Sequence, residues 1–266
     1  DTAQALYLAR RIQDLSEQSG MDLCMALLDW EKAFDKVDQK RMGEALTRLN
    51  IPKKIIKMIA ALYRRPQVRV KHGSECSETR GQRYGIRQGC PLSPYLFILV
   101  MHVMFWDIKQ RSGDQIKRGN IIGLNFSELL YADDTLLILR TKEAMETLLH
   151  EIERESEYYG LRLNMAKCEL LEMNGNQEIL FRSGEQMKKV DKAKYLGGIL
   201  TKKADSSTEI QARLTATTPV ITSLDTFWKK TNCSIAWKLL IFQAVVISKL
   251  LYGLETLIAT ETTLLK

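Results

Sequence analysis

The sequence contains no Cys-x-x-Cys pair and no cluster of cysteine with histidine. Its five cysteines (Cys24, Cys76, Cys90, Cys168 and Cys233) are scattered, which speaks against zinc within these residues. Several stand in apolar runs and read as small buried hydrophobes, so a reducing, intracellular compartment fits. A long unbroken apolar run is also lacking. The longest, Leu92 to Trp106, is interrupted by Ser93, Pro94 and His102. That is too short to span a bilayer and reads as a core helix, so no membrane partner is expected. The chain opens on a polar, amphipathic segment, and no signal peptide is expected. Internal repeats and low-complexity linkers are absent as well.

Acidic residues are missing from one stretch in particular. From Lys53 to Lys71 there are seven basic residues (Lys53, Lys54, Lys57, Arg64, Arg65, Arg69 and Lys71) and no acidic one. The net charge of the chain is +7, with 39 basic and 32 acidic residues in all, so this segment carries the whole excess. Such a segment is either a track for a polyanion or a solvated helix face.

What is present is ordinary globular material: 266 residues, 45% hydrophobic and 27% charged, enough for one large domain or two small ones. Apolar spacing predicts helices over 3–18, 38–49, 52–63, 142–160, 206–230 and 234–252, with Pro219 a break or kink in the fifth. Pro91 and Pro94 open a further helix to about Lys109. Strands are predicted at 23–28, 67–72, 78–84, 168–173, 179–182 and 195–200, with a pair between 121 and 140 folded at Asp133 and Asp134. This mixture, without strict βαβ alternation, predicts an α+β fold with an antiparallel sheet covered by helices on one face. Strands stop after Lys203, which puts a boundary near 204: a mixed segment 1–204, then a helical segment 205–266. The helix Ile235–Ile247 is apolar almost all round and expects cover on every side.

Asp133 and Asp134 stand side by side between two apolar runs. Adjacent carboxylates in such a setting need compensation, and a divalent cation supplies it when all donors are oxygen. Aspartates also stabilise tight turns, so the pair alone reads either way. A second apolar strand ends in Asp29. If it lies beside the hairpin, three carboxylates converge, enough to hold two Mg²⁺ ions roughly 3.5–4 Å apart.

Three segments then carry a resemblance: "LLDWEKAFDKV" (27–37), "GIRQGCPLSPYLF" (85–97) and "YADD" (131–134). In this order they resemble successive motifs of reverse transcriptases, in the wording of the non-LTR (LINE-like) retrotransposon branch. "GLRLNMAKCELL" (160–171) resembles the family's fourth palm motif, "YLGGIL" (195–200) its primer grip, and "SKLLYGLET" (248–256) the end of its thumb.

The resemblance implies a right-hand polymerase: a palm sheet backed by helices, partial fingers and a helical thumb, with 1–204 as incomplete fingers plus palm and 205–266 as a truncated thumb-like segment. It implies an RNA-directed DNA polymerase, a nucleotidyltransferase using dNTPs, an RNA template and a DNA primer. Two Mg²⁺ ions, with Mn²⁺ as a substitute, would sit on Asp29, Asp133 and Asp134. Phe34 would pack under the incoming sugar and select dNTPs. Alternatively it is a core phenylalanine. Gln88, Gly89 and Ala132 would lie at the incoming nucleotide, and the backbone N–H groups of residues 30–33 would face its triphosphate. Arg87 would touch template or phosphate, or stand in solvent. Lys167 would act as general acid towards pyrophosphate, or be a surface lysine. Tyr195, Leu196, Gly197 and Gly198 would hold the primer, and the basic residues of 53–71 would position phosphates. The family's upstream fingers and an endonuclease are expected outside these residues, in a longer polyprotein working in the nucleus. Two alternatives stay open: an inactive fragment that still binds RNA, and a cellular or group II intron-type reverse transcriptase.

Overall fold

The computed structural model describes residues 1–64, 66–82 and 84–258. The elements follow from local signals. Asp1 accepts from the Gln4 N–H to start helix α1 (Thr2–Ser19), and Gly20, left-handed at φ 67°, ends it. The apolar run makes strand β1 (Leu23–Leu28), followed by one helical turn, α2 (Ala33–Lys36). Asp38 accepts from the Lys40 and Arg41 N–H groups and opens α3 (Gln39–Arg48), and Pro52 precedes α4 (Lys53–Leu62). Residues 67–81 form two nested antiparallel pairs, β2 (Gln67–Val68) with β5 (Arg80–Gly81) and β3 (Lys71–His72) with β4 (Glu75–Cys76). Then come α5 (Ser93–Lys117), the hairpin β6 (Glu128–Tyr131) and β7 (Asp134–Leu139), and α6 (Lys142–Tyr158) capped by Thr141. After them run β8 (Glu169–Met173), β9 (Lys188–Lys189), β10 (Lys192–Tyr195) and β11 (Gly198–Thr201). The helices α7 (Ser206–Ser223), α8 (Asp225–Lys230), α9 (Ile235–Ile241) and α10 (Ser248–Leu251) complete the described chain.

Several expectations are corrected. Residues 179–182 form no strand, only an isolated bridge between Leu180 and Gln186. The single strand expected at 195–200 is a hairpin, because Leu196 (φ 47°) and Gly197 (φ 77°) turn the chain between β10 and β11. Pro219 sits inside α7, and the break falls later, at Leu224. The helix after Pro94 runs on to Lys117. Of the cysteines, Cys24 and Cys168 are buried while Cys76 and Cys233 are exposed.

The chain forms two compact units. The larger holds Cys24–Leu170 and Gln177–Lys188, the smaller Asp1–Leu23, Leu171–Asn176 and the chain from Lys189 onwards. In the sheet the strand order is β6-β7-β1-β8-β9. β1 and β7 run antiparallel in a register that pairs Cys24 with Leu139, Ala26 with Leu137 and Leu28 with Thr135. One sheet face, with Cys24, Ala26, Leu28, Leu137 and Leu139, shares a core with Phe97, Val100, Met101 and Met104 of α5 and Met145, Leu149 and Ile152 of α6. Each such Leu, Ile, Val, Phe or Met side chain, once fully buried, contributes about 1.5–3 kcal/mol of transfer free energy. The expected sheet with helices on one face is therefore present.

The smaller unit is built around a buried ion pair. Arg10 of α1 meets Glu209 of α7 at 3.1 Å and also donates to the Gly253 carbonyl at 2.7 Å. Its C-terminal helix is less covered. Ile235, Trp237, Leu239 and Leu240 are 77%, 61%, 55% and 54% exposed. Residues Phe242–Ile247, joining α9 to α10, form a π-helical turn. By length and composition Ile235–Thr256 is apolar enough to cross a membrane, with mean hydropathy 1.6.

Candidate active site

The register of the larger unit sets the acidic residues. Leu28 pairs with Thr135, so the next position along β1, Asp29, falls opposite Asp134. Tyr131 pairs with Asp134, which leaves Ala132 and Asp133 as a two-residue hairpin turn. Ala132 takes φ 53°, a left-handed conformation that costs a non-glycine residue of order 1 kcal/mol. Asp133 and Asp134 are exposed at the turn end of the hairpin, and the Asp29 side chain is 43% exposed. The pair therefore stands at the rim of the apolar hairpin. Crowding of the Asp134 carboxyl by protein, then the negative charges of Asp133 and Asp29, hold it above the ordinary carboxylate range. Asp134 thus stands within the field of both other carboxylates.

Asp29 is fixed by its backbone. Its carbonyl accepts from the Asn164 N–H at 2.8 Å, and the Glu31 N–H donates to the Arg162 carbonyl at 2.9 Å. The segment 162–164 thus runs antiparallel to 29–31, with Trp30 bridged to Leu163. This corrects one expectation: the Glu31 N–H is already engaged and cannot face a triphosphate. The same segment leads into the turn Met165–Lys167, which carries the Lys167 ammonium to 3.9 Å from a carboxylate oxygen of Asp29.

The third motif docks on the first. The Ile86 N–H donates to the Phe34 carbonyl at 2.7 Å and the Gly85 N–H to the Val37 carbonyl at 2.8 Å. Gly85 has φ 83°, and a Cβ there would lie 2.6 Å from the Asp35 carbonyl oxygen, so only glycine allows the approach. Phe34 stacks on Phe97 of α5, centroids 5.0 Å apart at 20°. Gln88 donates to Asp35 at 3.0 Å. Phe34 and Gln88 therefore belong to one patch, and Asp35 joins them unforeseen. Gly89, at φ 82°, has open space where a Cβ would point. Arg87 donates to the Leu62 carbonyl at 2.9 Å, closing the end of α4.

Lys53, Lys54, Lys57, Arg64, Arg69 and Lys71 are all exposed, while Arg65 lies outside the described residues. In the smaller unit, Tyr195 is buried, and Leu196 and Gly197 form the turn of the β10–β11 hairpin. Tyr252 donates from its hydroxyl to the Leu196 carbonyl at 2.9 Å, and Arg213 donates to the Gly197 carbonyl. Glu209 accepts from the Ile199 N–H at 2.5 Å. None of Tyr252, Arg213 or Glu209 was visible as a site residue, because each reaches the hairpin from a distant helix or turn.

A cavity of about 840 Å³ is lined by Lys32, Lys36 and Arg162 together with Asp35, Asp38 and Glu157. It mixes both charge signs and does not include the three aspartates.

The model of the family Reverse transcriptase (RNA-dependent DNA polymerase) matches residues 3–200. The chain belongs to this family. Among its relatives is a retrovirus-related Pol polyprotein from the type-1 retrotransposable element R2 of Nasonia vitripennis. It is 30% identical over 197 residues, 66% of this chain and 18% of that protein. The R2DM polyprotein of Drosophila melanogaster is 28% identical over 185 residues, 65% of this chain and 17% of its own length. The transposon TX1 149 kDa protein of Xenopus laevis is 26% identical over 200 residues, 74% and 15% respectively. These relatives bear out the likeness to non-LTR reverse transcriptases. The chain spans less than a fifth of their length. In fold it is similar to telomerase. A truncated apo telomerase from Candida tropicalis covers 77% of this chain and 39% of its own at TM-score 0.56 and 16% identity. Telomerase from Candida albicans, in complex with a fragment of telomeric RNA, covers 99% and 50% at TM-score 0.56 and 13% identity.

Proposed function

We propose that this reverse transcriptase chain is the catalytic core of an RNA-directed DNA polymerase. It would transfer dNMP from dNTP to a DNA primer 3′-hydroxyl on an RNA template, within a retrotransposon polyprotein that works in the nucleus. The observation that carries the reading is the β1–β7 register, which sets Asp29 opposite Asp134 with Asp133 in the adjoining turn. The donor set fits a hard divalent cation, because all three side chains offer carboxylate oxygen. Among the described residues no three acidic, histidine or cysteine side chains close into a ready-made cage. Mg²⁺ takes one or two carboxylates and completes its shell with water and substrate phosphates. Asp29, Asp133 and Asp134 would hold two Mg²⁺ ions, with Mn²⁺ as a substitute. When bound, such a pair lowers the pKa of the primer hydroxyl and offsets charge on the leaving pyrophosphate.

The chain's own residues do the rest. Lys167, held near Asp29, donates a proton to the pyrophosphate. Phe34, braced by Phe97, closes the space a ribose 2′-hydroxyl would need. Gln88 and Gly89, with Ala132, border the nucleotide, and Arg87 stands behind them. Exposed cations from Lys53 to Lys71 take phosphates of template and primer without reading bases. The Tyr195–Gly198 hairpin grips the primer. In this reading residues 1–204 are incomplete fingers plus palm and 205–266 a thumb-like segment. The apolar stretch Ile235–Thr256, with Lys238 and Gln243 inside it, belongs to that thumb and not to a bilayer.

Primer extension on poly(rA)/oligo(dT) with dTTP and Mg²⁺ tests this. The expected result is extension by the chain and at least about 10³-fold less by Asp133→Ala, Asp134→Ala. A folded chain that binds the hybrid but extends nothing would leave an RNA-binding remnant as the better description.

A further inference from the structure

Trp30 follows Asp29 directly, and Thr135 follows Asp134. The Trp30 indole N–H donates to the Thr135 hydroxyl at 3.1 Å. Both residues are buried, at 6% and 2% exposure. Side chains alternate across a strand. Thr135 pairs with Leu28, so Thr135, Leu28 and Trp30 share the core side, and Asp29 and Asp134 share the open side. Trp30 and Thr135 are diagonal neighbours across the β1–β7 ladder. Their hydrogen bond is thus a cross-link on the underside of the two strand ends that present the carboxylates.

Above this bond the backbone ladder is giving out. The β1–β7 pairing ends at Leu28 and Thr135. Beyond it, the Asp29 carbonyl and the Glu31 N–H bond to Asn164 and Arg162 instead, with Trp30 bridged to Leu163 between them. Among the described residues, this side-chain bond links the end of β1 to the start of β7 one step beyond their last backbone pair. An indole N–H in an apolar core needs an acceptor in any case. A purely structural bond would show itself in stability alone.

We propose that Trp30 and Thr135 are positioning residues, whose buried hydrogen bond sets the spacing between Asp29 and Asp134 and through it the affinity of the site for divalent cation. The inference rests on the metal reading given above. Thr135→Val keeps the shape and removes only the hydroxyl, Trp30→Phe removes the N–H together with part of the ring, and Thr135→Ser retains a hydroxyl.

The test is Mn²⁺ titration of the 266-residue chain, followed by the electron paramagnetic resonance signal of the free ion, with thermal melting of each variant alongside. The expected result is a half-saturation concentration raised about ten-fold in Trp30→Phe and in Thr135→Val. The double variant would be no worse than either single one, and Thr135→Ser would stay close to the parent. Variants that bind Mn²⁺ as the parent does, whatever their melting temperature, overturn the positioning role and leave the metal reading standing. A parent that binds no more Mn²⁺ than Asp134→Ala overturns the metal reading and this role together.

Discussion

Phe34 shows how a single side chain acquires a role from its neighbours. Its position five residues after Asp29 is a sequence fact. The ring's orientation is not, since it comes from the 5.0 Å stack on Phe97, a residue of another motif. Such a stack contributes about 0.5–1.5 kcal/mol beyond burial, and under the proposed function it would keep the ring from swinging aside when a ribonucleotide enters. The variant Phe34→Val should therefore incorporate rNTPs roughly ten-fold more readily relative to dNTPs, with dNTP incorporation itself little changed. Parallel single-nucleotide extensions with dTTP and UTP measure the ratio. An unchanged ratio would make Phe34 a core residue only. Asp29, Asp133 and Asp134 were legible because charge in an apolar frame stands out. Trp30 and Thr135 were not, because an indole and a hydroxyl look ordinary until a cross-strand register brings them together, and Asp35 was not because its partner Gln88 comes from a distant loop.

The elements were legible where one periodicity ruled. β1, α3, α4 and α6 came out within a residue or two, since apolar spacing and caps agree there. The β10–β11 hairpin was read as one strand because its turn has a leucine where propensity prefers asparagine, aspartate or glycine. Leu196 at φ 47° and Gly197 at φ 77° are both left-handed, as a two-residue hairpin turn that follows strand twist requires. Tertiary contacts hold it: the Tyr252 hydroxyl and Arg213 both bond the turn carbonyls. Gly197→Ala would add a Cβ 3.0 Å from the Tyr252 ring and keep a positive φ. A loss of about 1–2 kcal/mol is expected in urea unfolding, together with weaker retention of primer. Leu196→Asn, which tolerates the left-handed region, should cost far less. Equal losses in both variants would show that side-chain packing and not turn conformation sets the hairpin.

The fold as a whole is held by pairings too distant in sequence to predict, and some of them respond to pH. Tyr159 follows α6 and is buried at 1% exposure. Its carbonyl accepts from the Asp38 N–H at 2.8 Å, which ties the end of α6 to the start of α3. Burial first, then the charge of Asp107, opposed by Arg48, pushes its phenol up to about 12 from an ordinary 10.0. The sign follows from proton counting. Below pH 10 the phenol is protonated in folded and unfolded chain alike, so it adds no pH dependence. Between about pH 10 and 12 the unfolded chain has released the proton while the folded chain still holds it, so the unfolded state gains and stability falls. The loss through that window is about 2–3 kcal/mol. Tyr159→Phe removes the titrating group and keeps the ring. Urea unfolding at pH 9, 10, 11 and 12 should show the parent losing stability faster than the variant above pH 10, with parallel behaviour below it. Identical slopes across the series would mean that the phenol ionises in place without opening the α3–α6 contact.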